Sequence, residues 1–272
     1  MRARYAVHEE TDSGLAELLP DLDRPGSWML YLNDVPQSHL DLDDPTYLEF
    51  EYVRRIAHLI DIAFDEDRPV KALHLGGGAM TLPRYIAVTR PGSSQLVAEK
   101  DVSLTALVRK HLPLPSGRQG RIRVRPGDAR EVLESLRDNT YDLVVSDVYD
   151  GPRTPRHLTT AEYVAATARV LRPGGVYAVN VADGPPLKYV RGQISTLRSV
   201  YKNASVVAEP GVLKGRRVAN FVLAGSEREL PYSEWRRRCA GDPFPARVLD
   251  GPELDRFTGG APVVTDNSST NW

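Results

Sequence analysis

The sequence predicts an α/β protein: a doubly wound, mostly parallel sheet preceded by a small N-terminal β-hairpin region. Three observations carry this. Five short apolar runs, "KALHLG", "QLVAEK", "IRVRPG", "YDLVVSD" and "VYAVNVAD", recur along the chain, each followed by a helix-compatible segment. Repeated β-then-α units need crossover connections, and these give parallel strands with helices on both faces. Two further runs, "NASVVAEP" and "RVANFVLAGS", are joined by a short stretch rich in Gly, Lys and Arg, which predicts an antiparallel pair closing one edge. The first run of the alternating series breaks into Gly76, Gly77 and Gly78 and then into a helical pattern, as a chain does where it cradles a nucleotide.

Taken in order, residues 1–46 contain "SWMLYLNDVPQSHLDL", where Trp28, Leu30 and Leu32 alternate with Met29 and Tyr31 ahead of an Asn33-Asp34 turn signal. Over Tyr47–Phe64 the apolar positions Phe50, Val53, Ile56, Ala57, Ile60 and Phe64 fall on one helical stripe, so a helix is expected to join the hairpin region to the sheet. The organisation that follows is an N-terminal β region over 1–46, a nucleoside-binding α/β domain over 47–226 and a C-terminal extension over 227–272. The extension is rich in Pro, Gly and Arg and carries no functional signal.

Composition limits the function classes. With 272 residues, 41% hydrophobic, 26% charged and a formal net charge of −1, the chain has no electrostatic bias toward nucleic acid or membrane. No apolar run approaches the ~18 residues of a membrane span, and the opening "MRARYAVHEETD" lacks a signal-peptide apolar core, so a cytoplasmic location is expected. The single cysteine, Cys239, excludes an internal disulfide framework, and His58, His74 and His111 are scattered without ligand spacing, so no metal is expected. The basic stretches "RQGRIRVRPG" and Arg236–Arg238 lack an aromatic platform and read as solvated faces. Residues 1–46 hold ten acidic side chains against three arginines, either a solvated acidic face or an approach suited to a cationic substrate.

Candidate site residues gather at four consecutive strand ends. Gly76, Gly77 and Gly78 form either a tight structural turn or a nucleoside-facing loop. Glu99, 21 positions after Gly78, ends the second run, from which a carboxylate reaches ribose hydroxyls. Asp128 ends the third, where it either caps the helix beginning at Ala129 or accepts from an adenine amino group. The loop lacks GxGxxG and a P-loop Lys, so a phosphate-free ligand of the S-adenosylmethionine kind fits better than NAD or ATP. After the fourth run, "SDVYDGP" places Asp147 and Asp150 three apart with Tyr149 between them. Such a pair is either a structural turn or an amine site in which one carboxylate anchors an ammonium and the other takes a proton.

These motifs, with "LYLNDVPQSHLDLDDPTYLEFEY", "LGGGAM", "AEKD" and "GDA", fall in the order and at the intervals of one family. Over roughly residues 15–225 the chain resembles the polyamine aminopropyltransferases, the spermidine synthase family. The resemblance implies a seven-stranded, methyltransferase-like (Rossmann-like) sheet, decarboxylated S-adenosylmethionine as aminopropyl donor and an amine acceptor. It implies Gln37, the glycines, Glu99, Asp128 and Ala129 on the nucleoside, Asp147 as base, and Tyr47, Tyr149 and Asp150 around the acceptor. A small-molecule amine is the partner implied; a homodimer is left open. The chain departs from the family pattern at Ala79, where the family has Asp, and at Leu48, where it has His. Both replacements fall on the donor side, so a methyl or aminocarboxypropyl transfer from intact S-adenosylmethionine is the alternative. A non-catalytic nucleoside-binding protein is a third.

Overall fold

The computed structural model describes residues 5–115, 121–151 and 153–268. Four strands, β1 (Val7–Thr11), β2 (Gly14–Pro20), β3 (Ser27–Leu32) and β4 (Val35–Asp41), form an antiparallel meander in sequence order. The Asn33-Asp34 signal is its last turn: both residues have positive φ, 51° and 64°, the backbone of a tight hairpin matched to strand twist. The Asn33 side chain also accepts from Leu15 N–H at 3.0 Å and donates to the Ser13 carbonyl at 3.0 Å, tying this turn to the one between β1 and β2.

Helix α1 (Glu51–Ala63) starts four residues later than the apolar stripe predicts. Arg54 explains the late start. Its Nη1 donates to the carbonyls of Leu48 and Glu49 at 2.7 and 2.6 Å, so residues 48–50 are held extended against the side of the helix they could have prolonged.

The main sheet has the order β12-β10-β11-β9-β8-β5-β6-β7. Strands β5 (Lys71–Leu75), β6 (Ser94–Glu99), β7 (Arg121–Pro126), β8 (Tyr141–Ser146) and β9 (Leu171–Asp183) are parallel, while β10 (Asn203–Ala208) and β11 (Ala219–Ser226) run antiparallel at one side. These are the seven strands expected from the sequence, in the methyltransferase-like arrangement. An eighth, β12 (Arg247–Asp250), comes from the region after Ser226 and pairs with β10. Helix α8 (Tyr232–Ala240) precedes it, with Cys239 buried in the core and its thiol pushed up to about 12 by burial.

Side chains alternate between the two faces of the sheet, as a period of two requires. Leu73, Leu75, Val144, Tyr177 and Val181 join one buried cluster, under α5 (Ala161–Val170) and α6 (Lys188–Arg198). Ala72, Leu143, Val145, Val176 and Ala178 join the other, under α1, α2 (Thr81–Thr89) and α8. A third cluster fills the space between the meander and α3 (Val102–His111) and contains Ala79. His74 is buried on β5 beside Gln95, 2.9 Å away, and burial lowers its pKa to about 4, so it is a neutral core residue. His58 contacts Asp242, which also binds Arg54 and so fixes the C-terminal region to α1. Of the basic stretch read from the sequence, residues 118–120 lie outside the described residues, as does Pro152 of "SDVYDGP". Among the described residues no helix is long and apolar enough to cross a membrane.

Candidate active site

Strand order reverses at β5: β6 lies on one side and β8 on the other. Ligands of open α/β sheets bind outside the carboxyl ends of the strands at such a reversal. A cavity of about 640 Å³ lies there, roofed by β4 and the start of α1. Gln37, Gly76, Gly77, Gly78, Glu99, Asp128, Ala129, Asp147, Tyr149 and Asp150 all line it.

The glycine loop is shaped by close backbone packing. Gly76 has φ +93°, and a Cβ there would stand 2.2 Å from the Asp147 carbonyl oxygen; Gly78, at φ +48°, would meet Ser38 Oγ at 2.6 Å. Ser38 Oγ accepts from Ala79 N–H at 3.2 Å and Thr81 Oγ1 donates to the His39 carbonyl at 2.9 Å, so β4 is joined directly to the loop. Glu99 takes one backbone amide on each oxygen, from Gly77 and Asp101, both at 2.9 Å. Each oxygen keeps a lone pair for a further donor, the geometry a vicinal diol needs.

Of the two readings open for Asp128, the helix cap is the one the structure contains. Its Oδ1 caps α4 (Ala129–Glu134), accepting from Arg130 and Glu131 N–H, while Oδ2 lies 2.9 Å from His157 Nε2 at the cavity wall. Burial alone would raise this carboxyl; His157 and the two amides outweigh it and hold Asp128 below the usual carboxylate range.

At the other end, Asp147 Oδ2 accepts from Tyr52 OH and Oδ1 accepts from Asn180 Nδ2, each at 3.0 Å. Burial dominates and raises its pKa, opposed by those two hydrogen bonds. Burial, then the charge of Asp147, pushes the Tyr52 phenol well above its ordinary value, so it remains a donor. Among the described residues, Asn180 Oδ1 is buried without a hydrogen-bond partner, and the Tyr149 hydroxyl is buried near the Ala182 backbone. An unpaired carboxamide oxygen beside a desolvated carboxylate leaves room for a donor from a ligand. Asp150 stands at the rim, 3.8 Å from Lys100 Nζ.

Tyr47 is not brought to this cavity. Its hydroxyl donates to Glu49 at 2.6 Å, and its ring lies under the Arg24 guanidinium, 3.7 Å away. Tyr52, the second residue of α1, supplies the phenol beside Asp147 instead. Sequence reasoning passed over Tyr52, Asn180 and His157. Asn180 had a signal, a polar side chain within the apolar run "VYAVNVAD"; Tyr52 had none beyond its helix. Ala79 is fully buried in the apolar cluster with Leu104 and Leu18 and is not among the lining residues.

Comparison with known proteins places the chain in a family. Residues 49–210 match the spermine/spermidine synthase domain. Over 99% of both chains, the structure is similar to that of a probable spermidine synthase from Corynebacterium glutamicum, with a TM-score of 0.89 and 34% identity. A polyamine aminopropyltransferase of Vibrio vulnificus is 27% identical over 75% of this chain and 67% of its own length. One from Korarchaeum cryptofilum is 30% identical over 77% of this chain and 59% of its own. With the family model matched over more than half of its length, the chain is a member of the spermine/spermidine synthase family.

Proposed function

We propose that this protein transfers an aminopropyl group from decarboxylated S-adenosylmethionine to a small amine and releases methylthioadenosine. The observation that carries the reading is Asp147, held between Tyr52 and Asn180 at the end of the cavity away from Asp128. Gly77, Glu99 and Asp128 hold the nucleoside, and the glycine loop, which has no space for side chains at Gly76 and Gly78, lets the ligand approach the backbone. When bound, the sulfonium donor supplies an electrophilic carbon whose leaving group is a neutral thioether.

Asp147 accepts the proton that the acceptor ammonium must lose before its lone pair can form the new C–N bond; the electrons of the broken C–S bond go to sulfur. The raised pKa of Asp147 makes it a stronger proton acceptor than an exposed carboxylate. Asn180 Oδ1 and Tyr149 OH accept the N–H groups that remain, which aims the lone pair. Asp150 and Glu51, both lining the mouth, attract the cationic acceptor. Catalysis is then mostly alignment and deprotonation.

The test is an incubation with decarboxylated S-adenosylmethionine and a panel of diamines, with methylthioadenosine followed by chromatography. Methylthioadenosine formed in proportion to consumed amine supports the proposal. S-adenosylhomocysteine formed from intact S-adenosylmethionine, with no methylthioadenosine from the decarboxylated donor, replaces it with methyl transfer.

A further inference from the structure

The nucleobase end of the cavity is connected to the C-terminal segment by an unbroken series of contacts. His157 Nε2 lies 2.9 Å from Asp128 Oδ2, and the His157 carbonyl accepts from Arg130 Nη1 at 3.1 Å. Arg130 in turn makes a two-pronged ion pair with Asp266, at 2.8 and 2.7 Å, and its Nε donates to Glu134 at 2.7 Å. The segment bearing Asp266 is itself docked by backbone groups. Val264 is buried, its N–H donates to Thr196 Oγ1 at 2.9 Å, and its carbonyl accepts from Ala161 N–H at 2.8 Å; Asp266 N–H donates to Glu162 at 3.0 Å.

Asp128 needs such support. Its Oδ1 is committed to two amides of α4, so Oδ2 is the oxygen with capacity for a ligand, and His157 occupies one of its lone pairs. A donor at that point fixes the carboxylate plane and leaves the second lone pair facing the cavity, which both residues line.

We propose that His157 sets the nucleobase selectivity of the pocket by aiming Asp128 Oδ2 at an exocyclic amino group, with Arg130 and Asp266 as positioning residues that hold His157. The inference rests on the nucleoside reading of the cavity. An amino group at the six-position of the purine donates to Asp128; a carbonyl there brings two acceptors face to face. Discrimination between the two therefore measures how well Asp128 is aimed. Arg130 draws the Asp266 carboxyl down to about 2, so the pair stays charged across the working pH range.

The experiment is isothermal titration of the full-length protein with methylthioadenosine and with methylthioinosine, which carries the carbonyl. The parent binds methylthioadenosine preferentially. In His157→Ala that preference falls about tenfold, the scale of one hydrogen bond to a charged group. His157→Gln, whose amide donates from nearly the same place, recovers most of it. Asp266→Asn, outside the cavity lining, reduces the preference by a smaller factor and keeps the inference testable if His157→Ala does not fold. Unchanged preference in these variants, or equal weakening of both ligands, overturns the inference and leaves the nucleoside site standing. A parent protein that binds neither ligand overturns the nucleoside reading itself.

Discussion

The two ends of the cavity are built by different means. At one end, Glu99 and Asp128 are held by backbone amides: Glu99 by Asp101 beside it and by Gly77 of the neighbouring strand-end loop, Asp128 by Arg130 and Glu131 of the helix it caps. At the other end, Asp147 is held by two side chains from distant parts of the chain, Tyr52 on α1 and Asn180 on β9. A carboxylate fixed by backbone amides is a stable acceptor. One fixed by a phenol and a carboxamide, and desolvated, is poised to exchange a proton, and its basicity depends on those two partners.

If the ends carry separate tasks, substitutions should separate them. The largest effect is expected for Asp147→Asn, which keeps the shape and removes basicity: turnover falls by about 10² to 10⁴, with methylthioadenosine affinity nearly unchanged in calorimetry. Next, Glu99→Ala removes the acceptor for both ribose hydroxyls and weakens methylthioadenosine by about 2 to 4 kcal/mol in the same titration.

Ala79→Asp sharpens the comparison from the donor side. Because Ala79 is fully buried in the apolar cluster that also holds Leu18 and Leu104 and does not line the cavity, a carboxylate there is placed in apolar surroundings. The expected outcome is a loss of about 1 to 3 kcal/mol of stability in thermal denaturation. A gain in selectivity for the decarboxylated donor with full stability would show that the side chain reaches the ligand after all.

The smallest effect concerns pH. Asp147 acts as base when deprotonated, so activity falls as pH drops through its pKa, which burial has raised above the ordinary carboxylate range. Tyr52 donates to Asp147 and pulls that pKa down; Tyr52→Phe removes this contribution. The acid limb of the pH–rate profile therefore moves to higher pH in Tyr52→Phe, with turnover at its optimum reduced about tenfold or less. An acid limb that stays in place would mean Tyr52 does not tune the base.

The same contrast explains what the sequence made legible. Alternating apolar runs and their turn residues exposed the parallel strands and the antiparallel pair, and Glu99 and Asp128 were exposed because each is an acidic residue at the end of such a run. The partners of Asp147 come from more than 30 residues to either side, and nothing local to "SDVYDGP" points to them. Tyr47 illustrates the limit: it matches the family motif, yet Arg24 and Glu49 hold it elsewhere, and the later start of α1 leaves Tyr52 to face the carboxylate. The strand β12 was hidden for a similar reason. Its four residues, "RVLD", are too short to show a period and become a strand by pairing with β10.

The most direct test of the division between the ends is a crossed measurement on two variants, with methylthioadenosine affinity by calorimetry and product release by chromatography on the same preparations. The account predicts that Glu99→Ala loses affinity but, at saturating donor, keeps most of its turnover, whereas Asp147→Asn keeps affinity and loses turnover. Parallel loss of both quantities in both variants, or an Asp147→Asn protein that turns over like the parent, would contradict it.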